Sequence, residues 1–309
     1  MQYIYGTTNI KQNKNSIVVL GNFDGVHIGH QKLFDVAKIK AIQKELQVVV
    51  LSFYPPPTWI LGKQPKRLLM SRADKKSKIE SMGIDVLIEY PFTRQFANMS
   101  PEDFFTSILK DQLGAKVLVI GSNYYFGKGK TADASYMKKL GKDYDVEICV
   151  IDTIKNDNIE VSSSYIRSLI QDGNIEKANL LLGHPYSMSG TVIDGRKLGR
   201  QIGFPTINII PDLDRAHPPN GVYATTTKVH DKIYWSITNI GYNPTVNGEN
   251  KIIETHIFDF SNTIYGNDVE IYFYKYIRKE TKFSSIDLLK DQIKKDKDET
   301  KKILKIFLK

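Results

Sequence analysis

"SIVVLGNFDGVHIGH", residues 16–30, runs from an apolar stretch through Gly, Asn, Asp and Gly into two histidines three apart. A continuous apolar run such as 17–20 suits a strand buried on both faces of a parallel sheet. Gly21 has no Cβ and lets a ligand approach the backbone closely. A helix opening near His27 presents unpaired N–H groups and the positive end of its dipole, a natural anion site. His27 and His30, at i and i+3, point the same way from it. In α/β folds such a turn, just past the carboxyl end of a strand, is where ligands bind.

Read from these residues alone, the pair leaves three alternatives. Two imidazoles beside a phosphate donate hydrogen bonds to oxygens that gain charge in a transition state, with Asn22 bonding the phosphate or the attacking group. A plain surface or capping pair carries no chemistry. A metal pair needs a third ligand with metal-site spacing, and none stands nearby. "GSNYYFGKGKT" (121–131) is not a Walker loop: its second Gly comes one place late, and Lys128 is followed by Gly.

Outward from this stretch the chain has two rhythms. In the first half, apolar runs at 17–20, 48–53, 84–90, 115–121 and 146–152 alternate with helical segments such as 30–45 and 101–112. Ser100-Pro101-Glu102-Asp103 is a helix start with an N-cap Ser and Pro at the first position. These are βαβ units of a doubly wound, Rossmann-like parallel sheet. In the second half, short β-rich segments at 186–194, 221–229, 232–240, 252–260 and 268–276 are punctuated by Gly, Pro and Asn. That predicts an all-β antiparallel barrel or sandwich, the barrel being the reading adopted, followed by a helix starting near Ser284-Ser285-Ile286-Asp287. The break falls within 171–185, which predicts an α/β domain over 1–183 and a barrel domain over 184–309.

At 309 residues, two domains are the expectation. No run approaches a membrane span, and the N-terminus lacks a signal-peptide layout. Cys149 is the single cysteine, which excludes a disulfide framework and a cysteine metal cluster. The expected location is the cytoplasm. The net charge is +9, most of it between Lys275 and Lys309. With no aromatic residue among the lysines from Lys290 to Lys305, this reads as the solvated face of a helix rather than a nucleic-acid surface. The expected partners are small molecules, with no nucleic acid and no membrane; a homo-oligomer is compatible with this.

The opening motif contains the His-x-Gly-His signature of nucleotidyltransferases. With "SSSYIRSLI" (162–170) and "GSNYYFGKGKTAD" (121–133), it resembles the N-terminal module of prokaryotic bifunctional riboflavin kinase/FAD synthetases. Ser164 replaces the family's Thr, and Tyr124 its Phe. The resemblance implies that His27 and His30 contact the ATP phosphates and stabilise charge as pyrophosphate leaves. It places Gly21, Asn22 and Asn123 in the nucleotide site and gives the triphosphate to Ser162, Ser163 and Arg167. No covalent nucleophile is implied, because the phosphate of FMN attacks the α-phosphorus of ATP, with Mg²⁺ assisting. One departure stands out. In "SFYPPPTWI" (52–60), Tyr54 and Pro56 replace the family's Asp and His. The expected consequence is a weaker adenylylating step, or a flavin held differently.

"GRKLGRQIGFPTINI" (195–209) joins a basic, Gly-rich part suited to phosphates to Thr206 and Asn208, two apart on an extended segment. A plain Gly-rich turn fits those residues as well. Glu254, alternating with apolar neighbours in "ETHIFDF" (254–260), is either an outward-facing strand residue or a base for a hydroxyl. Pro205-Thr206-Ile207-Asn208 and Glu254-Thr255-His256 resemble motifs of the riboflavin kinase module. The resemblance implies Mg²⁺·ATP binding by Thr206 and Asn208. It makes Glu254 the general base toward the 5′-hydroxyl of riboflavin. "NIGYNPTVNG" (239–248) and "GVYA" (221–224) match the family and read as structural, and His256 reads as a packing or surface residue.

Overall fold

The computed structural model describes residues 1–62, 65–195, 198–245 and 248–308. Contacts divide the chain into two compact units. One comprises Met1–Lys66 with Ser71–Ser163, and the other Arg67–Met70 with Ser164–Lys309. Among the described residues no helix is long and apolar enough to cross a membrane.

The first unit holds strands β1 (Gln2–Tyr5), β2 (Ser16–Leu20), β3 (Gln47–Tyr54), β4 (Val86–Pro91), β5 (Ala115–Gly121) and β6 (Glu147–Ile151). They form one parallel sheet in the order β1-β4-β3-β2-β5-β6. All five residues of β2 are buried, as its unbroken apolar run requires. From β2 the chain winds outward through β3 and β4, then returns to β5 on the other side. The switch point of the sheet therefore lies at the carboxyl end of β2, where a crevice opens. Helix Ile28–Lys44 covers this centre with Leu33, Phe34, Ala37 and Ala41. The segment expected as one helix over 101–112 starts as α at Pro101–Asp103, with Ser100 Oγ accepting from Asp103 N. It continues as a π-helix, Phe104–Gln112. Strands β7 (Lys155–Asn156) and β8 (Ile159–Glu160) form a short antiparallel pair.

The second unit holds strands β9 (Tyr186–Thr191), β10 (Ile207–Ile209), β11 (Gly221–Val229), β12 (Lys232–Thr245), β13 (Gly248–Ile257) and β14 (Asp268–Arg278). They pair antiparallel in the order β10-β13-β12-β11-β14-β9. The two end strands approach each other. A Cβ on Gly190 would lie 3.1 Å from Ile209 Cβ, and Ile193 bridges to Asn208 just past β9. One face of this sheet carries a ladder of buried hydroxyls. Thr227 meets Ser236 at 2.8 Å, Ser236 meets Thr225 at 2.8 Å, Thr225 meets Thr238 at 2.8 Å, and Thr238 meets Thr255 at 2.9 Å. The three inner hydroxyls have two partners each and the two at the ends one, so these polar groups are buried without an orphan. Helix Ile286–Phe307 begins at Ser285, whose Oγ accepts from Leu288 N, and buries Asp296, Thr300, Ile303 and Leu304. Asp296 takes Arg278 Nη2 at 2.7 Å and Gln292 Nε2 at 2.7 Å, which staples this helix to β14.

Candidate active sites

The loop after β2 is held in an unusual shape. Phe23 and Val26 have φ of 52° and 40°, in the left-handed region that side chains disfavour. Such residues cost about 1–3 kcal/mol each and persist only when their surroundings hold them. Three side chains do so by donating to loop carbonyls. Ser52 Oγ bonds Asn22 O at 3.2 Å, Ser163 Oγ bonds Asp24 O at 2.9 Å, and Gln31 Nε2 bonds Val26 O at 2.8 Å. The Phe23 ring is buried against His30 and Phe34, with centroids 5.2 and 4.9 Å away. A Cβ on Gly21 would stand 2.9 Å from that ring. The bare glycine thus makes room for Phe23, in addition to lining the cavity described below.

His27 is the N-cap of helix Ile28–Lys44 and makes no side-chain capping bond. It is 6% exposed, and its ring stacks on that of His30, with centroids 3.6 Å apart and planes 20° apart. Nδ1 of both rings is buried without a hydrogen-bond partner. Burial pushes His27 down to about 4. His30 is held well below its usual value by burial first, then by the charges of His27 and Lys75. Both imidazoles are therefore neutral at pH 7, and the one that reaches the cavity, His30, does so as a dipolar hydrogen-bonding group, not as a cation.

A cavity of about 630 Å³ opens at this crevice, a size suited to a small-molecule ligand. Gly21, Asn22, His30, Asn123 and Ser163 line its polar end. Phe53, Phe92, Phe96, Phe104 and Met99 line an apolar wall. Five of the expected residues are therefore together, while His27 lies behind His30. Ser162 is outside the lining, and Arg167 belongs to the second unit, where its Nε donates to Arg67 O at 2.5 Å. The altered loop contributes Phe53, Pro57 and Thr58, and Leu61 just after it also lines the cavity; Tyr54 and Pro56 are not in the lining. Tyr54 instead meets Tyr5 and Trp59 edge-on, with the Arg72 guanidinium 5.1 Å above its ring.

In the second unit a row of polar residues crosses three strands. Glu254 on β13 is in register with Asn208 on β10 and with Asn239 on β12. All three line a cavity of about 320 Å³, together with Thr206, Arg278, Glu280 and Asp296. Asn208 is 5% exposed, and its Oδ1 is buried with no partner. A Cβ on Gly195 would fall 2.2 Å from Asn208 Nδ2, so that glycine leaves space for the amide. Asn239 Nδ2 donates to Glu280 Oε1 at 3.2 Å. His256 accepts no role from the sequence beyond packing, yet it lines this cavity, and its Nδ1 sits 2.8 Å from Pro205 O. Burial lowers its pKa. Arg196 and Lys197 of the basic part, and Val246 and Asn247 of "NIGYNPTVNG", lie outside the described residues. Sequence reasoning missed Asn239 and Arg278. Nothing local marks them: Asn239 gains its place by lying opposite Glu254 across the β12–β13 pair, and Arg278 by lining the same cavity from the end of β14. Among the described residues, no three His, Cys, Asp or Glu side chains gather to hold a metal.

Comparison with known proteins covers both units. The FAD synthetase family model matches residues 9–165, and the riboflavin kinase model matches residues 182–304. The chain is 40% identical to a bifunctional riboflavin kinase/FMN adenylyltransferase of Bacillus subtilis, over 94% of this chain and 92% of that one. It is 34% identical to the protein of that description from Escherichia coli K12, over 96% of each. A solved Streptococcus pneumoniae structure, described as a macrolide-efflux protein, superposes with a TM-score of 0.90 at 34% identity. It covers 97% of this chain and 99% of that one.

Proposed function

The chain belongs to the bifunctional riboflavin kinase/FMN adenylyltransferase family, and from that premise we propose which of its residues carry each reaction. The enzyme phosphorylates riboflavin to FMN with ATP and adenylylates FMN to FAD with release of pyrophosphate. Residues 1–183 adenylylate and residues 184–309 phosphorylate. The observation that carries this assignment is that each unit has its own cavity, walled by the motif of one reaction.

In the first cavity a phosphate oxygen of FMN attacks the α-phosphorus of ATP. The bond from that phosphorus to the bridging oxygen breaks, and pyrophosphate leaves with the electron pair. The nucleophile is already anionic, so no base is needed. His30, backed by His27, donates a hydrogen bond that strengthens as charge gathers on the leaving oxygens. Gly21, Asn22, Asn123 and Ser163, which line that cavity, hold the nucleotide. The wall of Phe53, Phe92 and Phe96 receives the flavin ring by apolar contact.

In the second cavity Glu254 takes the proton of the riboflavin 5′-hydroxyl. That oxygen attacks the γ-phosphorus, and ADP leaves. Asn208 and Thr206 bind the nucleotide phosphates together with Mg²⁺. The fit rests on the unpartnered, buried Oδ1 of Asn208 beside a carboxylate, an oxygen donor set suited to a hard cation. Mg²⁺ supplies neutralisation of phosphate charge when bound. The reactions take place in the cytoplasm, in keeping with the lone cysteine, Cys149. The test is chromatography of products from riboflavin, ATP and Mg²⁺. The native enzyme yields FMN and then FAD. His30→Ala yields FMN alone, and normal FAD formation by that variant removes the histidines from the reaction.

A further inference from the structure

Behind the first cavity lies an ion pair that neither reaction uses. Glu89, in β4, is 1% exposed. Lys75, on helix Arg72–Ser81, is 8% exposed and places Nζ 2.5 Å from Glu89 Oε1. The other carboxylate oxygen takes Tyr3 OH at 2.5 Å and faces Arg72 Nε at 3.4 Å. A buried ion pair is weak evidence of stability, because desolvation offsets its attraction. Its burial therefore asks for another reason, and the hydrogen bonds supply one. Lys75 Nζ donates to Ser52 Oγ at 3.2 Å, and that hydroxyl spends its own proton on Asn22 O at 3.2 Å. Ser52 stands opposite Glu89 in the sheet register. Asn22 O belongs to the peptide that leads into Phe23, a residue held at positive φ. Phe23 in turn packs on His30.

We propose that Lys75 is a positioning residue for adenylyl transfer: its ammonium, neutralised by Glu89, polarises Ser52 and so fixes the carbonyl of Asn22 and the loop that carries His27 and His30. This rests on the assignment of that loop to adenylyl transfer. Lys75 does not line the cavity, so it acts through Ser52 and not on the nucleotide. A cation at the donating end makes the Ser52 hydroxyl a stronger donor than it would be alone. Removing that end loosens the side-chain bond that holds the Asn22 carbonyl ahead of Phe23, and a loosened loop costs rate more than affinity.

The test compares Lys75→Met/Glu89→Gln with Ser52→Ala in the full chain, supplying FMN, ATP and Mg²⁺. The double variant leaves no unpaired buried charge. The kinase rate, read in the same preparation, reports that the chain is folded. Expected in both variants is a fall of about tenfold or more in kcat for FAD formation, with KM for ATP within about threefold and kinase rate unchanged. A merely structural role instead gives the double variant normal kcat, which overturns the proposal. Should the double variant fail to fold, Ser52→Ala alone decides, and its unchanged kcat overturns the proposal too. His30→Ala is run alongside. Loss of FAD formation there with a normal Lys75→Met/Glu89→Gln enzyme condemns only the positioning role. Retention there condemns the assignment of the loop.

Discussion

Lowering the pH from 7 to 5 destabilises the first unit through His27. Burial holds this residue at about 4 in the folded chain, against about 6.5 when unfolded. Between those values the unfolded state binds more protons, so stability is full above about 6.5 and falls as the pH drops toward 4. One pKa unit corresponds to about 1.4 kcal/mol. Integrated from pH 7 to 5, the His27 difference removes about 2 kcal/mol, and His30 acts in the same direction. Glu147, held below its usual value by Lys40 and Lys44, contributes only at more acid pH. The chain has two tryptophans, Trp59 in the first unit and Trp235 in the second. In a Trp235→Phe background, Trp59 fluorescence in urea reports the first unit alone. With a slope of roughly 2 kcal/mol per molar urea, its midpoint falls by about 1 M. His27→Asn/His30→Asn in the same background abolishes most of that shift. A midpoint that stays constant from pH 7 to 5 in the Trp235→Phe chain refutes the burial argument and the neutral-imidazole chemistry built on it.

Glu254→Gln lowers riboflavin phosphorylation by about a hundredfold or more while FAD formation from supplied FMN proceeds normally; loss of both activities, seen by chromatography, contradicts the division of the chain. Gly195→Ala places a Cβ where Asn208 Nδ2 now stands and raises the kinase KM for ATP about tenfold, with adenylylation as the internal control. Asp296→Ala leaves Arg278 without its buried partner and costs the second unit about 3 kcal/mol, read from the Trp235 urea transition in a Trp59→Phe background.

The parallel strands were legible because burial on both faces forces continuous apolar runs, as in β2 and β3. β1 was not, since Gln2-Tyr3-Ile4-Tyr5 is a short edge strand whose identity comes from pairing with β4. The π-helical register of Phe104–Gln112 has no sequence mark either: its buried Phe104, Phe105, Ile108 and Leu109 are spaced as an α-helix would space them. At the sites, motifs announced His30, Asn123, Thr206 and Glu254. They did not announce Asn239, which acquires its place by lying opposite Glu254. Lys75 sits among Lys76 and Lys78 and looks like one more solvated lysine. Only Glu89 carried a local signal: a carboxylate inside the apolar run at 84–90 must find a buried cation.

The two proposed sites differ in where the proton is, and the side chains follow from that difference. Riboflavin offers a neutral hydroxyl, so the kinase cavity needs a carboxylate, and Glu254 supplies one between two asparagine amides that carry no competing charge. FMN offers an oxygen that is already charged, so the adenylylating cavity needs donors and no base. Charged histidines there would hold the ground-state triphosphate as tightly as the transition state and add little to the rate. Burial first, and then the 3.6 Å stacking of the two rings, disfavours a positive charge on either imidazole, so the pair stays neutral with one N–H on each ring. Its hydrogen bonds then gain most when negative charge moves onto the departing pyrophosphate. Lys75 fits this arrangement by keeping its charge out of the cavity, where it shapes the loop and disfavours protonation of His30 without binding the nucleotide itself.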